Sequence, residues 1–314
     1  MQDNSKPVSI LAVVVLYQML PSESQAFRTL QASVNGLNQN DVRVKLLLYD
    51  NTPGGQDPGT LPNNTEYWAA KNNRGISSAY NYALEMADAQ GYDWLLTMDQ
   101  DTRVPEQFLD RLSKTAQIVA CCPNVAAIVP EVSDHGVFIS PNIVSLGRSI
   151  RLPKNYIGIP KGELSAINSA TTWRVRTWRE IGGFNPLFWL DSLDHWAFHA
   201  IYHAGNRIYV AGDLHVEHEL SLLDPNNHMT PIRYENYLGA RCALCDLHRN
   251  KLNGILLTAY LTHDLYVQFQ KRESIHIRRI TWKYIKRMLL WTRKKRIESW
   301  KKDMMKRIAN ITEN

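Results

Sequence analysis

Apolar and polar positions follow two rhythms along the chain. In the first half, short and almost continuous apolar runs alternate with stretches of helical period. Residues 9–17, 42–49 and 94–98 are β-rich runs, and residues 24–34 and 76–89 carry apolar positions three and four apart. The segment 52–64, rich in Gly, Pro and Asn, reads as a loop, and Pro105 suits the first turn of a further helix. Apolar strands alternating with helices predict an α/β fold with a mostly parallel central sheet covered on both faces. In such sheets ligands bind beyond the carboxyl ends of the strands. Each of these runs ends in polar residues: Tyr17-Gln18, Asp50-Asn51 and Asp99-Gln100-Asp101.

The middle is less regular. Residues 134–162 read as loops and short strands, and 177–181 as a short helix closed by Gly182-Gly183. A helix over 192–204 stops at Gly205, and 207–210 returns as a strand. From about Thr230 the pattern is helical to the end. The expected division is a catalytic domain over 1–228 and a basic, amphipathic helical region over 229–314.

Composition narrows the class. With 44% hydrophobic residues, the 314-residue chain is not of disordered composition. No window reaches the roughly 18 to 20 apolar residues that cross a bilayer. The first apolar run is of strand length, is preceded only by Lys6 and lacks a nearby small-residue cleavage site, so it reads as a buried strand rather than a signal peptide. Cys121, Cys122, Cys242 and Cys245 lack zinc-ribbon spacing and read as reduced thiols, which favours the cytoplasm. The net charge of +6 is uneven. Residues 278–307 hold 13 Lys or Arg and 2 acids, leaving 23 bases and 28 acids elsewhere. A nucleic-acid-binding core is therefore not expected. The tail has the basic, Trp-bearing pattern of a peripheral contact with an anionic membrane surface, with Trp291 and Trp300 as anchors.

The candidate chemistry lies at the strand ends. Asp99 and Asp101, one residue apart after an apolar strand, are hard oxygen donors suited to Mg²⁺ or Mn²⁺, which would neutralise a diphosphate leaving group. Downstream, Asp191 and Asp194 stand near the start of a predicted helix, where one carboxylate could accept a proton from a hydroxyl nucleophile. His215 and His218 follow the last strand signal.

In order, residues 13–17, Leu46 to Asn51, Asn72-Asn73-Arg74-Gly75 with Asn81, and Leu95 to Asp101 resemble the family 2 glycosyltransferases over roughly residues 8–220. Those enzymes have the GT-A fold, a nucleotide-sugar-binding sandwich with an Asp-x-Asp metal motif. The resemblance implies that Asp50 meets the base of a dTDP- or UDP-linked sugar and that Tyr17, Asn51, Asn73, Arg74, Gly75 and Gln100 line the nucleotide-sugar site. It implies that Asp99 faces ribose and metal, that Asp101 and His218 are further ligands of Mn²⁺ or Mg²⁺, and that Asp194, or failing it Asp191, is the catalytic base. Asn168-Ser169-Ala170 would be an acceptor-side loop, and Arg233, Tyr234, Tyr237 and Arg241 match a segment of rhamnosyltransferase-like members. Leu193 and Trp196 depart from the family pattern, which has acids there. The implied activity is inverting transfer of L-rhamnose from dTDP-β-L-rhamnose to a saccharide or lipid-linked glycan in surface polysaccharide (O-antigen) synthesis. UDP-hexose or UDP-galactofuranose donors are alternatives. A nucleotidyltransferase would need a Gly-rich phosphate loop after the first strand, and residues 18–22 are not one. A non-catalytic binding protein on the same fold is the alternative of another class.

Overall fold

The computed structural model describes residues 7–37, 42–145, 148–218, 229–248 and 251–312. The chain divides into two compact units, residues 1–185 with 197–219, and residues 186–196 with 220–314.

In the first unit, β1 (Val8–Leu16) is buried along its whole length and pairs in parallel with β2 (Val42–Asp50). Helix α1 (Gln25–Asn35) lies between them in sequence, and the Ser24 hydroxyl caps it by accepting from Phe27 N–H. β3 (Thr65–Ala69) adds in parallel to β2. Then come α2 (Gly75–Ala89), β4 (Trp94–Asp99), parallel to β1, and α3 (Phe108–Ala120). β5 (Val125–Asp134), β6 (Val137–Ser140), β7 (Asn142–Ser145), β8 (Arg148–Arg151), β9 (Ile157–Gly158), β10 (Glu163–Ser165) and β11 (Thr171–Arg174) follow. After β11 come α4 (Val175–Ile181), α5 (Leu193–His203), of which residues 197–203 belong to this unit, and β12 (Arg207–Glu217).

The main sheet runs β3-β2-β1-β4-β11-β5-β12-β9, with β6 on β5, while β10, β7 and β8 form a small second sheet. The expected parallel sheet is present, but β11 enters it antiparallel to β4 and β5. Among the described residues before position 100 there are four strands rather than the expected three, because the half-buried β3 gives too short a signal to be read. α3 begins at Phe108 rather than at Pro105, whose carbonyl accepts from Phe108 N–H. β12 runs on to Glu217, well past the expected end, through an irregularity between Ala211 and His215.

One face of β1 (Ile10, Ala12, Val14, Leu16) packs with Phe27 and Leu30 of α1 and Phe108, Leu112 and Val119 of α3. An aromatic cluster of Tyr80, Trp173, Trp178, Phe184 and Phe198 has ring centroids 4.7–5.3 Å apart.

The second unit is helical: α6 (Pro231–Leu247), α7 (Lys251–Gln270), α8 (Ile275–Leu290) and α9 (Arg293–Thr312). Thr230 caps α6, with Pro231 in its first turn. Leu238, Cys242, Leu257, Leu261, Tyr284 and Ile285 form its core. Arg296 is held by a two-pronged pair to buried Asp246 and donates to the α8 carboxyl-end carbonyls of Met288 and Trp291. Trp300 is not an exposed anchor. It is 9% accessible, lies against Gly239, and its indole N–H donates to Leu187 O. Trp291 is half-buried, with Arg287 and Lys295 over its ring. The exposed apolar residues of this unit include Ile255, Tyr266, Phe269, Trp282, Leu289 and Leu290. Among the described residues, no helix is long and apolar enough to cross a membrane.

Candidate functional site

The carboxyl ends of β1, β2 and β4 are neighbours, because register pairs Leu16 with Asp50 and Val15 with Asp99. Gln100 locks this edge. Its side-chain oxygen accepts from Tyr17 N–H (2.8 Å), and its carbonyl accepts from the Ser24 hydroxyl and Ala26 N–H. Tyr17 itself stays exposed.

Asp50 is fully buried. Its carboxylate accepts from Tyr67 OH (2.6 Å), Gln56 Nε2 (3.1 Å) and Thr52 N–H (2.8 Å). Three donors leave about one of four acceptor positions open. Burial, then the bond to Asp50, pushes the Tyr67 phenol up to about 12, so it remains a donor at physiological pH. Asn51 turns to the backbone. Its amide donates to Gly75 O, its oxygen accepts from Arg74 N–H, and Asn73 Oδ1 accepts from Gly75 N–H. Gly75 opens α2 with φ at +76°, a conformation that favours glycine. Arg74 is exposed beside this turn.

The third cluster joins Asp99, Asp101 and His218. Tyr80 OH donates to Asp99 Oδ1 (3.1 Å), while Asp99 N–H donates to Ser169 Oγ (2.9 Å). Ser169 meets Thr102 Oγ1, which lies 2.8 Å from His218 Nδ1. His218 is buried at the end of β12, where its N–H donates to Ser133 O. Its Nε2 lies 3.9 Å from Asp99 Oδ2 and its Nδ1 3.3 Å from Asp101 Oδ1. The latter approach is electrostatic, without hydrogen-bond alignment. Asp101 Oδ1 is a buried oxygen with no hydrogen-bond partner among the described residues. Burial pulls the His218 pKa down, but Asp101, Asp99 and Asp134 outweigh it and the net shift is upward. The pocket therefore favours positive charge. Asp99, Asp101 and His218 bring two carboxylates and an imidazole together, donor types that could hold a divalent cation. His215 is turned elsewhere, 3.5 Å from Glu131 and exposed.

Asp191 and Asp194 lie in the second unit. The Asp191 carboxylate pairs with Arg233 Nη1. Burial raises the Asp191 pKa, the Arg233 guanidinium opposes that rise, and Asp194 adds to it. Asp194 is half-exposed in the first turn of α5 and accepts from His195 N–H (2.7 Å). Leu193 is fully buried, and Trp196 rests near Phe188, with centroids 6.3 Å apart. Tyr234, from the segment singled out with Arg233, bonds to Asp264, Thr281 and Gln268, and Arg241 to Tyr237. These two therefore serve the helical core.

Sequence reasoning missed Gln56, Tyr67, Tyr80 and Thr102, and it did not show the structural part played by the 168–170 loop. Ser169 is fully buried against Asp99 and Thr102, and Asn168 O accepts from Thr97 OH, so these residues brace β4. Asn81, part of the resemblance, pins the turn after α4 through two bonds with the Phe184 backbone.

A nine-stranded sheet with polar carboxyl ends and an Asp-x-Asp turn defines a GT-A glycosyltransferase fold. Among solved structures, the chain is similar to S. aureus TarS 1–349 (TM-score 0.56, 13% identity, 93% of this chain and 83% of that one). It is also similar to TarS 1–349 in complex with UDP (0.51, 11%, 85% and 76%). A third likeness is to GalNAc-T7 with UDP, GalNAc and Mn²⁺ (0.52, 11%, 76% of this chain). Here the chain spans about half of the relative's length, 48%. No family model and no curated protein matches the sequence.

Proposed function

We propose that this chain transfers a sugar from a nucleoside-diphosphate donor to a hydroxyl acceptor, with inversion and with a divalent metal held by Asp99, Asp101 and His218. The observation that carries the reading is the buried Asp101 Oδ1, which accepts no hydrogen bond among the described residues and lies 3.3 Å from His218 Nδ1, with His218 Nε2 3.9 Å from Asp99 Oδ2, at a strand edge shared with Asp50. A bound Mn²⁺ or Mg²⁺ would supply charge neutralisation to the diphosphate as it leaves. Asp50 offers its remaining acceptor position to the N3–H of a uracil or thymine once Gln56 moves aside. Asn51 and Asn73 hold the turn that carries Arg74 toward the phosphates. The similarity to solved structures that hold UDP, and in one case Mn²⁺, supports a pyrimidine diphosphate and a divalent ion.

Asp194 acts as the base. It takes the proton of the acceptor hydroxyl as that oxygen bonds to the anomeric carbon and the carbon–oxygen bond to the diphosphate breaks. A β-L-rhamnosyl donor then gives an α-L-rhamnoside. The family 2, rhamnosyltransferase-like assignment, and with it dTDP-β-L-rhamnose and a glycan acceptor of surface polysaccharide synthesis, rests on sequence resemblance. UDP-hexoses and UDP-galactofuranose are the competing donors. Asp191 is the weaker base because Arg233 already occupies its carboxylate.

The test is turnover of dTDP-rhamnose and UDP-sugars with Mn²⁺ or EDTA. Asp194→Asn is expected to lower kcat by roughly 10²-fold or more with donor binding retained. Full activity in Asp194→Asn alongside a dead Asp191→Asn would move the base to Asp191. Turnover unaffected by EDTA would remove the metal from the mechanism.

A further inference from the structure

A second group of metal-ligating side chains stands apart in sequence from the strand-end carboxylates. His199 and His203 are four residues apart on α5, so they share one helix face. Their ring centroids are 3.9 Å apart. Glu163, the first residue of β10, reaches the same spot, with Oε1 2.7 Å from His199 Nδ1. One ligand atom from each of the three can be chosen so that all lie within 4.8 Å of one another. Tetrahedral zinc, with bonds of about 2.0–2.2 Å, sets its ligands roughly 3.4 Å apart. To reach that arrangement the Glu163–His199 pair would open by about 0.7 Å and the widest pair would close by roughly 1.4 Å at most.

The setting suits a cation as well as the donors do. His203 is the last residue of α5, where the carbonyl ends of the helix favour positive charge. The Glu163 and His199 side chains are 23% and 19% accessible, so they are largely ordered by packing. His203 is exposed and provides an entry path and room for a water as fourth ligand. Two imidazole nitrogens and one carboxylate oxygen form a borderline donor set that prefers Zn²⁺ to Mg²⁺ or Ca²⁺. The Asp99–Asp101 cluster is richer in oxygen.

We infer that Glu163, His199 and His203 form a second metal site, of the Zn²⁺ class, that clamps β10 to the carboxyl end of α5. The inference is independent of the donor-binding reading. Its role is structural: the ion joins a short strand of the small sheet to a helix far from it in sequence. Because the ion binds the folded arrangement, it stabilises that arrangement by mass action.

Co²⁺ serves as the spectroscopic probe on the untagged full chain carrying Asp101→Ala, which removes the strand-end site. One equivalent should give the intense visible absorption of a four- or five-coordinate ion, and Zn²⁺ should abolish it by displacement. In the same background, His203→Gln, at an exposed position that the fold tolerates, should weaken Co²⁺ binding by at least about tenfold. Glu163→Gln should weaken it similarly. At a hundredfold excess over its Kd, Zn²⁺ should raise the thermal midpoint by on the order of 5 °C, and His203→Gln should remove that rise. Nucleotide binding with Mn²⁺ in the otherwise wild-type chain should be unaltered by His203→Gln. Absence of the visible band, or a band and thermal shift that persist in His203→Gln, would overturn the site and leave Glu163–His199 as an ordinary ion pair with His203 packed beside it.

Discussion

Asp50 is a fully buried carboxylate, and its survival depends on neighbours that donate to it. Tyr67 is the shortest of these contacts at 2.6 Å. Removing a donor from a buried acceptor costs about 1–3 kcal/mol. Tyr67→Phe should therefore lower stability by that amount in urea unfolding, and no change would mean that water replaces the phenol freely. The pH dependence has a definite sign. The folded phenol, at about 12, lies above its ordinary 10. Its contribution is complete below pH 10 and is lost as pH rises through 12. Loss of stability between those values should be smaller in Tyr67→Phe. Asp99 and Asp101 are legible in sequence because an apolar strand ends at them, and His218 because it follows another strand. Tyr67, Thr102 and Ser169 are not, since each is an ordinary polar residue given meaning by a partner 17, 116 or 67 positions away.

Elements with strong apolar runs declare themselves: β1, β2 and β4 each carry five or more consecutive buried residues. β3, β5 and β11 escaped the reading for different reasons. β3 is short and only half-buried, while the four-residue β11 depends on its neighbours, Thr172 and Trp173 being paired to both β4 and β5. β5 is ten residues long and mostly buried, but Pro130 interrupts its apolar run and weakens the strand signal. The C-terminal helices were legible as helices, but their inward face was not. A Cβ on Gly239 of α6 would come within 2.3 Å of the Trp300 ring. Gly239→Ala should therefore destabilise the helical unit by about 1–3 kcal/mol through overpacking, despite the gain in helix propensity. A thermal midpoint equal to or above wild type would contradict this packing.

For the whole molecule, the charge split survives the correction to the tail, but the anchors change. Arg296 and Lys283 are engaged by Asp246 and Glu235. Truncating α8 and α9 would strip Tyr284, Ile285 and Trp300 from the helical core, so point changes are the better probe. We propose that Trp282, Leu289 and Leu290, each at least half exposed among basic residues, meet an anionic membrane surface. The triple change Trp282→Ala, Leu289→Ser, Leu290→Ser should cut co-sedimentation with anionic vesicles, and salt should do the same to wild type. Equal binding to neutral vesicles, or none to either, would contradict a membrane role.

The proposed activity requires that the Asp99–Asp101–His218 cluster bind a metal together with a nucleotide. Titration calorimetry of UDP and dTDP against the full chain, with Mn²⁺ or with EDTA, measures this directly, and Asp101→Ala is its control. Binding with Mn²⁺ is expected, with loss of at least tenfold in affinity with EDTA and the same loss in Asp101→Ala with its circular dichroism and thermal midpoint preserved. Nucleotide affinity that is equal with Mn²⁺ and EDTA, or unchanged by Asp101→Ala, would contradict a metal-assisted nucleotide site at this cluster.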